Sequence, residues 1–419
     1  AGKAGIARIK DCNQWYLQRR KPGKRKQDIY TNRVNNEVFF LLYLDNSATS
    51  WPKPDSVYLK MIECMKNYGA NPGRSGHRMA MQAAEKVHQC RENLARLFGI
   101  ADPLRIVFTA NATEAINLAV KGMLIPGDHV ILSSMEHNSV VRPLKKLETL
   151  GVELSIVKAD QSGKVSAEDI VKSIKINTKL LIVTHASNVT GTVNDLKSLG
   201  RLAKEHKIVY MVDASQTAGN YPVDVGLMNI DLLAFSGHKG LLGPQGTGGL
   251  YIREGVMLDT LREGGTGSFS ESLIQPDFLP DRYESGTLNL PGIAGLNEGI
   301  KYILDTGIKN IQNHENQLTR YMLEGLGEIK NVKVYGSRNF EHRIGVISVT
   351  IDEKDCHEVC RELDEKYDIA ARGGLHCAYL AHKTIGTQNT GTIRFSIGFF
   401  NTIKDIDEAL KAVKAIAGS

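Results

Sequence analysis

The sequence lacks any run of roughly eighteen apolar residues, so no segment of it is expected to span a membrane. Cysteine is scarce as well, with six residues among 419 and no CxxC pair. In a chain of this length, that usage predicts free thiols in a reducing compartment, the cytoplasm. The sequence also has no GxxxxGK[ST] motif and no GxGxxG after its first predicted strand, which excludes two common nucleotide-binding loops.

The charge is distributed unevenly along the chain. The whole sequence has 52 Lys and Arg residues against 46 Asp and Glu residues, a formal net charge of +6. Residues 1–42 alone carry ten basic and three acidic residues, so the remainder is close to neutral. Such a basic block is more often a solvated tail than a binding patch. We therefore interpret residues 1–42 as an N-terminal extension, and expect neither a nucleic-acid nor a membrane partner.

Apolar strand-like runs alternate with amphipathic helix-like segments from residue 86 onward. The runs at 105–109, 129–134, 180–187, 208–215 and 232–237 are nearly continuous in Val, Ile and Leu. This alternation predicts an α/β fold, with a mostly parallel sheet covered by helices on both faces. We place this large domain at residues 43–300.

A different pattern follows residue 300. One long helical stretch is predicted over 296–329, followed by apolar runs at 345–351 and 392–398 and helices at 355–366 and 403–417. Strands mixed with helices in this way predict a smaller α+β domain at residues 301–419.

Chemically useful side chains follow every predicted strand of the large domain. Ligands of an open parallel sheet bind beyond the carboxyl ends of its strands, so these side chains are candidates for one site. In chain order they are Thr113, His137, Asn188, Asp213 with Gln216, and His238 with Lys239.

These side chains together fit one cofactor. A helix starting with Thr113 as its N-cap suits a phosphate, and Asp213 suits a cationic ring nitrogen. His137 can stack on a flat ring, and Lys239 can form an imine if burial lowers its pKa. Phosphate, pyridinium and imine describe pyridoxal phosphate (PLP). The glycines around Lys239, within Phe235–Ile252, are interpreted as letting the backbone approach that cofactor. Each residue taken alone also has an ordinary reading as a surface, turn or capping residue.

Seven stretches of the sequence resemble a known family, in family order. They are FTANATEAINLAV, EHNSVVRPL, SNVTGTVND, VDASQTAGNYPVDV, FSGHKGLLGPQGTGGLYI, YESGTLNLPGI and RGGLHCA. From about residue 43 to the C-terminus, the chain resembles the class V aminotransferases of PLP fold type I, most closely the cysteine desulfurases. The RGGLHCA stretch is typical of a branch that also includes selenocysteine-lyase-like enzymes.

The resemblance implies a role for each cofactor-binding position. Lys239 would form the Schiff base and remove the Cα proton, while Asp213 would keep the ring nitrogen protonated. Gln216 would bond the ring hydroxyl, and His137 would stack on the ring. The residues that would hold the phosphate are Ala112, Thr113, Ser236, His238 and, from the other subunit of a homodimer, Thr287.

The resemblance also implies the reaction. Asn188 and Arg394 would hold the carboxylate of L-cysteine, with Arg372 nearby. Cys377 would attack the substrate sulfur, releasing L-alanine and keeping a persulfide for a possible acceptor protein. Because attack requires a thiolate, Arg372 and His376 are expected to favour that form, and Gly373 with Gly374 to make the loop mobile.

Other functions are open at this point. A selenocysteine lyase, an aminotransferase or an epimerase would use the same fold, since fold does not fix the reaction. A non-catalytic scaffold or a nucleic-acid-binding protein using the basic tail is the alternative of another class. No metal site is expected, because Cys356, His357 and Cys360 lack a second ligand pair at a suitable spacing.

Overall fold

The computed structural model describes residues 33–34, 37–38, 41–73, 75–337 and 339–418. Most of the predicted N-terminal extension, residues 1–42, therefore lies outside the described residues. Within it, strands β1 (Arg33–Val34) and β2 (Glu37–Val38) pair antiparallel with each other. Over the described part of the chain, no helix combines the length and the apolar character needed to cross a membrane.

A seven-stranded sheet forms the larger part of the fold, and it confirms the prediction of a mostly parallel sheet. The strand order is β4-β10-β9-β8-β7-β5-β6, and β10 alone among these seven runs antiparallel to its neighbours. The strands are β4 (Ile106–Thr109), β5 (His129–Ser133), β6 (Glu153–Val157), β7 (Thr178–Thr184), β8 (Val209–Asp213), β9 (Leu232–Ser236) and β10 (Gly248–Ile252).

Helices cover both faces of this sheet. Successive side chains of a strand point to opposite faces, so neighbours such as Ile131 and Leu132 enter two different apolar clusters. The helices are α1 (Asp55–Asn67), α2 (Arg78–Phe98), α3 (Ala112–Met123), α4 (Asn138–Glu148), α5 (Ala167–Lys172), α6 (Leu196–Glu205) and α7 (Leu290–Thr306). Burial on both faces explains why the strands read as continuous apolar runs.

The C-terminal part contains a second, antiparallel sheet, in the order β11-β12-β15-β14. Its strands are β11 (Val332–Tyr335), β12 (Val346–Ile351), β14 (Arg372–Gly374) and β15 (Thr392–Ser396). Its helices are α8 (Ile308–Gly327), α9 (Cys356–Tyr367), α10 (Tyr379–Ile385) and α11 (Ile403–Ala417). A separate apolar cluster, which includes Met322, Leu363 and Phe395, fills the space between them.

Residues just after 41 pack with the C-terminal part of the chain and form a separate two-stranded sheet there. Strand β3 (Leu42–Tyr43) pairs in parallel with β13 (Ile369–Ala370), and Leu44 belongs to the C-terminal apolar cluster. The proposed domain boundaries at residues 43 and 300 stay a prediction.

The long helical stretch predicted over 296–329 is helical in the structure but interrupted at Gly307. The structure has two helices there, because Gly307 adopts a left-handed conformation, with φ of +84°, between the end of α7 and the start of α8. Such a φ is readily adopted only by glycine, so the chain changes direction at this residue.

Candidate active site

Two adjacent parallel strands bring Asp213 and Lys239 to the same edge of the sheet. Asp213 is the last residue of β8 and is buried, and its Oδ1 accepts a hydrogen bond of 2.9 Å from the backbone N–H of Ser215. Lys239 lies in the turn after β9. Burial lowers the pKa of Lys239 from 10.5 to about 8, although the charge of Asp213 acts in the opposite direction. The turn therefore holds a lysine that gives up its proton near physiological pH.

His137 is the N-cap of α4 and has a neutral ring. Its Nδ1 accepts a hydrogen bond of 3.1 Å from the backbone N–H of Ser139. The pKa of His137 is lowered to about 4, mainly by burial. The charge of Asp213 opposes this shift, and the charges of Lys239 and Arg394 contribute to it. A neutral ring held at a helix start is suited to stacking on a flat, electron-poor ligand.

The start of α3 offers the anion site predicted from the sequence, but its cap is a different residue. Asn111 is the N-cap, since its side chain accepts from the backbone N–H of Glu114 at 3.0 Å. Thr113, predicted as the cap, is the second residue of the helix. Its side chain is exposed, while Ala112 before it is buried. The first backbone N–H groups of the helix have no partner within it and are available to a phosphate.

Ser236 and His238 flank the same edge of the sheet. Ser236 ends β9 and is buried. Burial lowers the pKa of His238 to about 4, so its ring is neutral at physiological pH. Its Nδ1 is buried and, among the described residues, has no hydrogen-bond partner. A buried ring nitrogen without a partner is costly, and a phosphate oxygen or its proton would satisfy it.

The glycines around Lys239 accommodate the protein's own chain, which corrects the interpretation that they clear space for a cofactor. A Cβ atom at Gly240 would lie 2.6 Å from the carbonyl oxygen of Ala218, and one at Gly248 would lie 2.7 Å from the backbone of Asn111. These glycines are therefore required for close packing of neighbouring backbone segments.

Cys377 is exposed on a tight turn just after β14. Both His376 and Cys377 have positive φ, +47° and +57°. The Nη2 of Arg372 lies 3.7 Å from the Cys377 sulfur, and the backbone N–H of Asn138 donates to the Cys377 carbonyl at 2.8 Å. The turn is thus fixed to the start of α4, directly beside His137.

Two expectations about this turn are wrong. His376 does not favour the thiolate, because its ring is buried against Thr392, whose carbonyl accepts from Nε2 at 3.2 Å. Burial, helped by the charge of Arg394, lowers the pKa of His376 to about 2, so the ring is uncharged. Gly373 and Gly374 lie in the paired strand β14 rather than in a mobile loop, and a Cβ at Gly373 would lie 2.6 Å from the carbonyl oxygen of Cys356.

Arg394 is a fully buried cation in β15, 1% exposed. Its Nη2 donates to Asp45 Oδ1 at 2.6 Å, and its Nη1 donates to the Asn188 carbonyl at 3.3 Å. Its Nε is buried and has no partner in the described part of the chain. Arg372 lies directly opposite on β14, and the Asn188 side chain donates to the His376 carbonyl at 2.7 Å.

One segment of the site was missed by sequence reasoning. Residues Asp45–Lys53, here called the strap, cross the turn that carries Lys239. The Thr49 hydroxyl, the Ser50 N–H and the Lys53 ammonium all donate to the His238 carbonyl, at 3.0, 3.0 and 3.2 Å. The strap precedes the alternating pattern and has no strand-like run. The only feature of the sequence that could have indicated a site here is its hydroxyl-rich composition, NSATS, and such a composition is not specific for a binding site.

Gln216 and Thr287 complete the predicted set. The Gln216 side chain donates to the carbonyl of Ser47 in the strap at 3.3 Å. Thr287 is exposed between β10 and α7, and its Oγ1 accepts from Asn71 at 3.3 Å.

Among the residues that the structure covers, no group of three or more His, Cys, Asp or Glu side chains is arranged to hold a metal ion.

Comparison with known proteins identifies relatives over nearly the whole chain. The family model Aminotransferase class-V matches residues 42–409. A probable cysteine desulfurase from Methanothermobacter thermautotrophicus is 37% identical over 384 residues, covering 90% of this chain and 95% of the relative. A cysteine desulfurase from Yersinia pseudotuberculosis is 33% identical, covering 93% and 96%. The solved apo structure of a cysteine desulfurase from Thermococcus onnurineus superposes with a TM-score of 0.84 at 34% identity, covering 90% and 95% of the two chains.

Proposed function

The chain belongs to the class V aminotransferase family, and we propose from that premise that it is a PLP-dependent cysteine desulfurase, converting L-cysteine to L-alanine and keeping the sulfur on Cys377 as a persulfide. The observation that supports this most directly is the position of Cys377. Its sulfur lies 3.7 Å from Arg372 Nη2, and its carbonyl accepts from Asn138 N–H at the start of α4, directly beside His137. An aminotransferase reaction has no need of an exposed thiol at this position.

The residues of the site fit PLP. The free helix start at α3 and the unpartnered His238 Nδ1 suit its phosphate, and the buried Asp213 suits its ring nitrogen. We assign the phosphate contacts to Ala112, Thr113, Ser236 and His238. Gln216 would bond the ring hydroxyl, His137 would cover one ring face, and Lys239 would hold the cofactor covalently. When bound, PLP withdraws electrons from the α-carbon of the amino acid attached to it.

The protein's own residues then bind the substrate and move its protons. Arg394 binds the substrate carboxylate, with Asn188 and Arg372 beside it, because a guanidinium fork matches a carboxylate. Lys239, with its pKa near 8, is a competent base for the Cα proton.

Cys377 performs the transfer of sulfur. Its thiolate forms a bond to the substrate sulfur while the Cβ–Sγ bond of the substrate breaks, and the electron pair of that bond stays with the substrate carbon. Cβ takes up a proton equivalent to the one that the Cys377 thiol released, and Lys239 returns to Cα the proton that it removed, so alanine leaves and the persulfide remains. The Arg372 Nη2 lies 3.7 Å from this sulfur and can donate a hydrogen bond to it.

Product analysis tests this function. Purified PLP-loaded protein is mixed with L-cysteine without added thiol, and alanine and thiol-bound sulfur are measured together. We expect equal amounts of both, up to about one equivalent per site, with the persulfide on the peptide that carries Cys377. An oxo acid would indicate an aminotransferase, D-cysteine an epimerase, and turnover of selenocysteine alone a selenocysteine lyase. Protein without a visible absorption band from PLP would instead support the scaffold alternative.

We also infer a homodimer with shared sites, in which Thr287 contacts the phosphate bound by the neighbouring subunit. The exposed position of Thr287 supports this inference. Mixing Lys239→Ala protein with Thr287→Ala protein should restore activity, because one site of each mixed dimer then has both residues. An active monomer would contradict it.

An acceptor protein for the sulfur and a cytoplasmic location are also proposals, supported by the exposed Cys377 and by free thiols at all five described cysteines.

A further inference from the structure

The guanidinium of Arg394 has hydrogen-bond partners at both Nη atoms and, among the described residues, none at its buried Nε. Asp45 binds Nη2 at 2.6 Å, and the Asn188 carbonyl accepts from Nη1 at the longer distance of 3.3 Å. Within the described chain, the buried Nε has no partner. A carboxylate binds a guanidinium through two parallel hydrogen bonds, and Nε together with the second N–H of Nη2 provides such a pair of donors.

The charges around Arg394 fit a ligand with a single negative charge. Arg372 lies directly opposite in the β14–β15 register, and like charges placed this way destabilise a sheet. Burial and Arg372 lower the pKa of Arg394, and Asp45 is the carboxylate that raises it. With the Cys377 thiol uncharged, two guanidinium groups and one carboxylate leave one net positive charge.

The backbone fixes the position of Asp45. Asp45 forms a bridge with Ser396, two residues beyond Arg394 on β15, and the Ser47 N–H donates to the Ser396 hydroxyl at 2.9 Å. The carboxylate of Asp45 is therefore held by the same strand that carries Arg394. An ordinary surface ion pair is not fixed in this way, since both side chains pay entropy to meet.

We propose that Asp45 is a positioning residue of the carboxylate subsite. It holds the Nη2 of Arg394 so that the Nε edge faces the substrate, and its charge sets the subsite for a monocarboxylate amino acid. This inference rests on the proposed function for the identity of the substrate. It assigns to the strap a part in substrate recognition, separate from its contacts with the His238 carbonyl.

Two probes separate this role from a structural one. The compound 3-mercaptopropionate has the thiol and the carboxylate of cysteine without the amine, whereas cysteamine has the thiol and the amine without the carboxylate. Dissociation constants for the PLP-loaded protein are measured by the absorbance change with cysteamine and by competition with 3-mercaptopropionate. The variants are Asp45→Ala and Asp45→Asn. Asp277→Ala is the control, because it removes the 2.6 Å ion pair with Arg282 at the surface.

We expect Asp45→Ala to weaken 3-mercaptopropionate binding by roughly tenfold or more, and to raise KM for L-cysteine with a smaller change in kcat. Cysteamine binding should not change. Asp45→Asn keeps an oxygen acceptor for Nη2 and should bind 3-mercaptopropionate at least as tightly as the wild type. Asp277→Ala should match the wild type with both probes.

Two results would overturn the inference. One is wild-type binding of 3-mercaptopropionate by Asp45→Ala, and the other is a parallel loss of cysteamine binding, which would show that Asp45 only stabilises the fold. If Asp45→Asn loses as much 3-mercaptopropionate binding as Asp45→Ala, then an oxygen acceptor at residue 45 is not what positions Arg394. The proposed function is judged separately, by alanine release from wild-type protein. If the wild type releases no alanine but the variants bind the two probes as expected, the proposed desulfurase function is refuted. The proposed role of Asp45 in binding a carboxylate is then still supported.

Discussion

The lowered pKa of Lys239 leads to a prediction about the rate at which the proposed cofactor, PLP, would react with it. With a pKa of about 8, roughly a tenth of Lys239 is unprotonated near pH 7, compared with about one part in 3,000 at the ordinary value of 10.5. Only the unprotonated amine attacks an aldehyde. Lys239 is therefore expected to react roughly 300-fold faster than an equally accessible surface lysine near pH 7.

The substitution Asp213→Asn tests the cause of this pKa. The charge of Asp213 raises the pKa of Lys239, so removing it should lower that pKa further, while the asparagine Oδ1 can still accept from the Ser215 N–H. Apoprotein is mixed with PLP across a range of pH, and the rate of the visible absorbance change is recorded. We expect the rate to rise with pH and level off near pH 8 in the wild type, and at lower pH in Asp213→Asn.

Two controls assign the inflection to Lys239. Lys239→Arg should give no visible band, since it has no primary amine at this position. Burial also lowers the pKa of Lys53 to about 8, so Lys53→Met should keep the inflection if Lys239 is its source. An inflection near 10 in the wild type, or an upward shift in Asp213→Asn, would refute the reasoning.

Three further predictions concern sulfur transfer, stability and the N-terminus. Cys377→Ala should retain PLP and lose alanine production, and Cys377→Ser should not restore it, since a hydroxyl is largely un-ionised at neutral pH; alanine release at the wild-type rate would contradict the mechanism. Glu284→Ala should lower the free energy of unfolding by roughly 3–5 kcal/mol in urea titrations, because Arg91, its buried ion-pair partner, loses its counter-charge; a change under about 1 kcal/mol would refute that view. Deleting residues 1–41 should leave L-cysteine turnover unchanged, whereas deleting residues 1–43 should reduce it, because β3 pairs with β13; equal activity of both would show that this pairing is dispensable.

The sequence predicted the strands that are buried on both faces, because such strands read as unbroken apolar runs. It did not predict β6, an edge strand in which Glu153 and Ile156 are exposed and only Val157 is fully buried. The sequence also did not indicate that β10 runs antiparallel to its neighbours, because the pattern of apolar residues is the same in parallel and antiparallel strands.

The sequence predicted that Asp213 and Lys239 lie at the ends of neighbouring strands, and the structure has Asp213 at the end of β8 and Lys239 in the turn after β9, while their chemical roles stay predictions. The chemistry of the candidate site was not predictable where side-chain direction decides the role. His376 and Cys377 are neighbours in sequence, but their positive φ values place one ring in the protein interior and the other side chain at the surface. The strap was missed because its partners are distant in sequence, and no local pattern reports such contacts.

The bond between Asp45 and Arg394 joins two residues that lie near opposite ends of the chain. Its two residues are separated by 349 positions, so nearly the whole chain must be made before they can meet. Since a chain emerges with its N-terminal part first, Lys239 is available well before Cys377 and Arg394. A chain that ends before residue 377 therefore has Lys239 without Cys377 and Arg394. Under the proposed mechanism, such a chain would lack the thiol that takes the sulfur from cysteine.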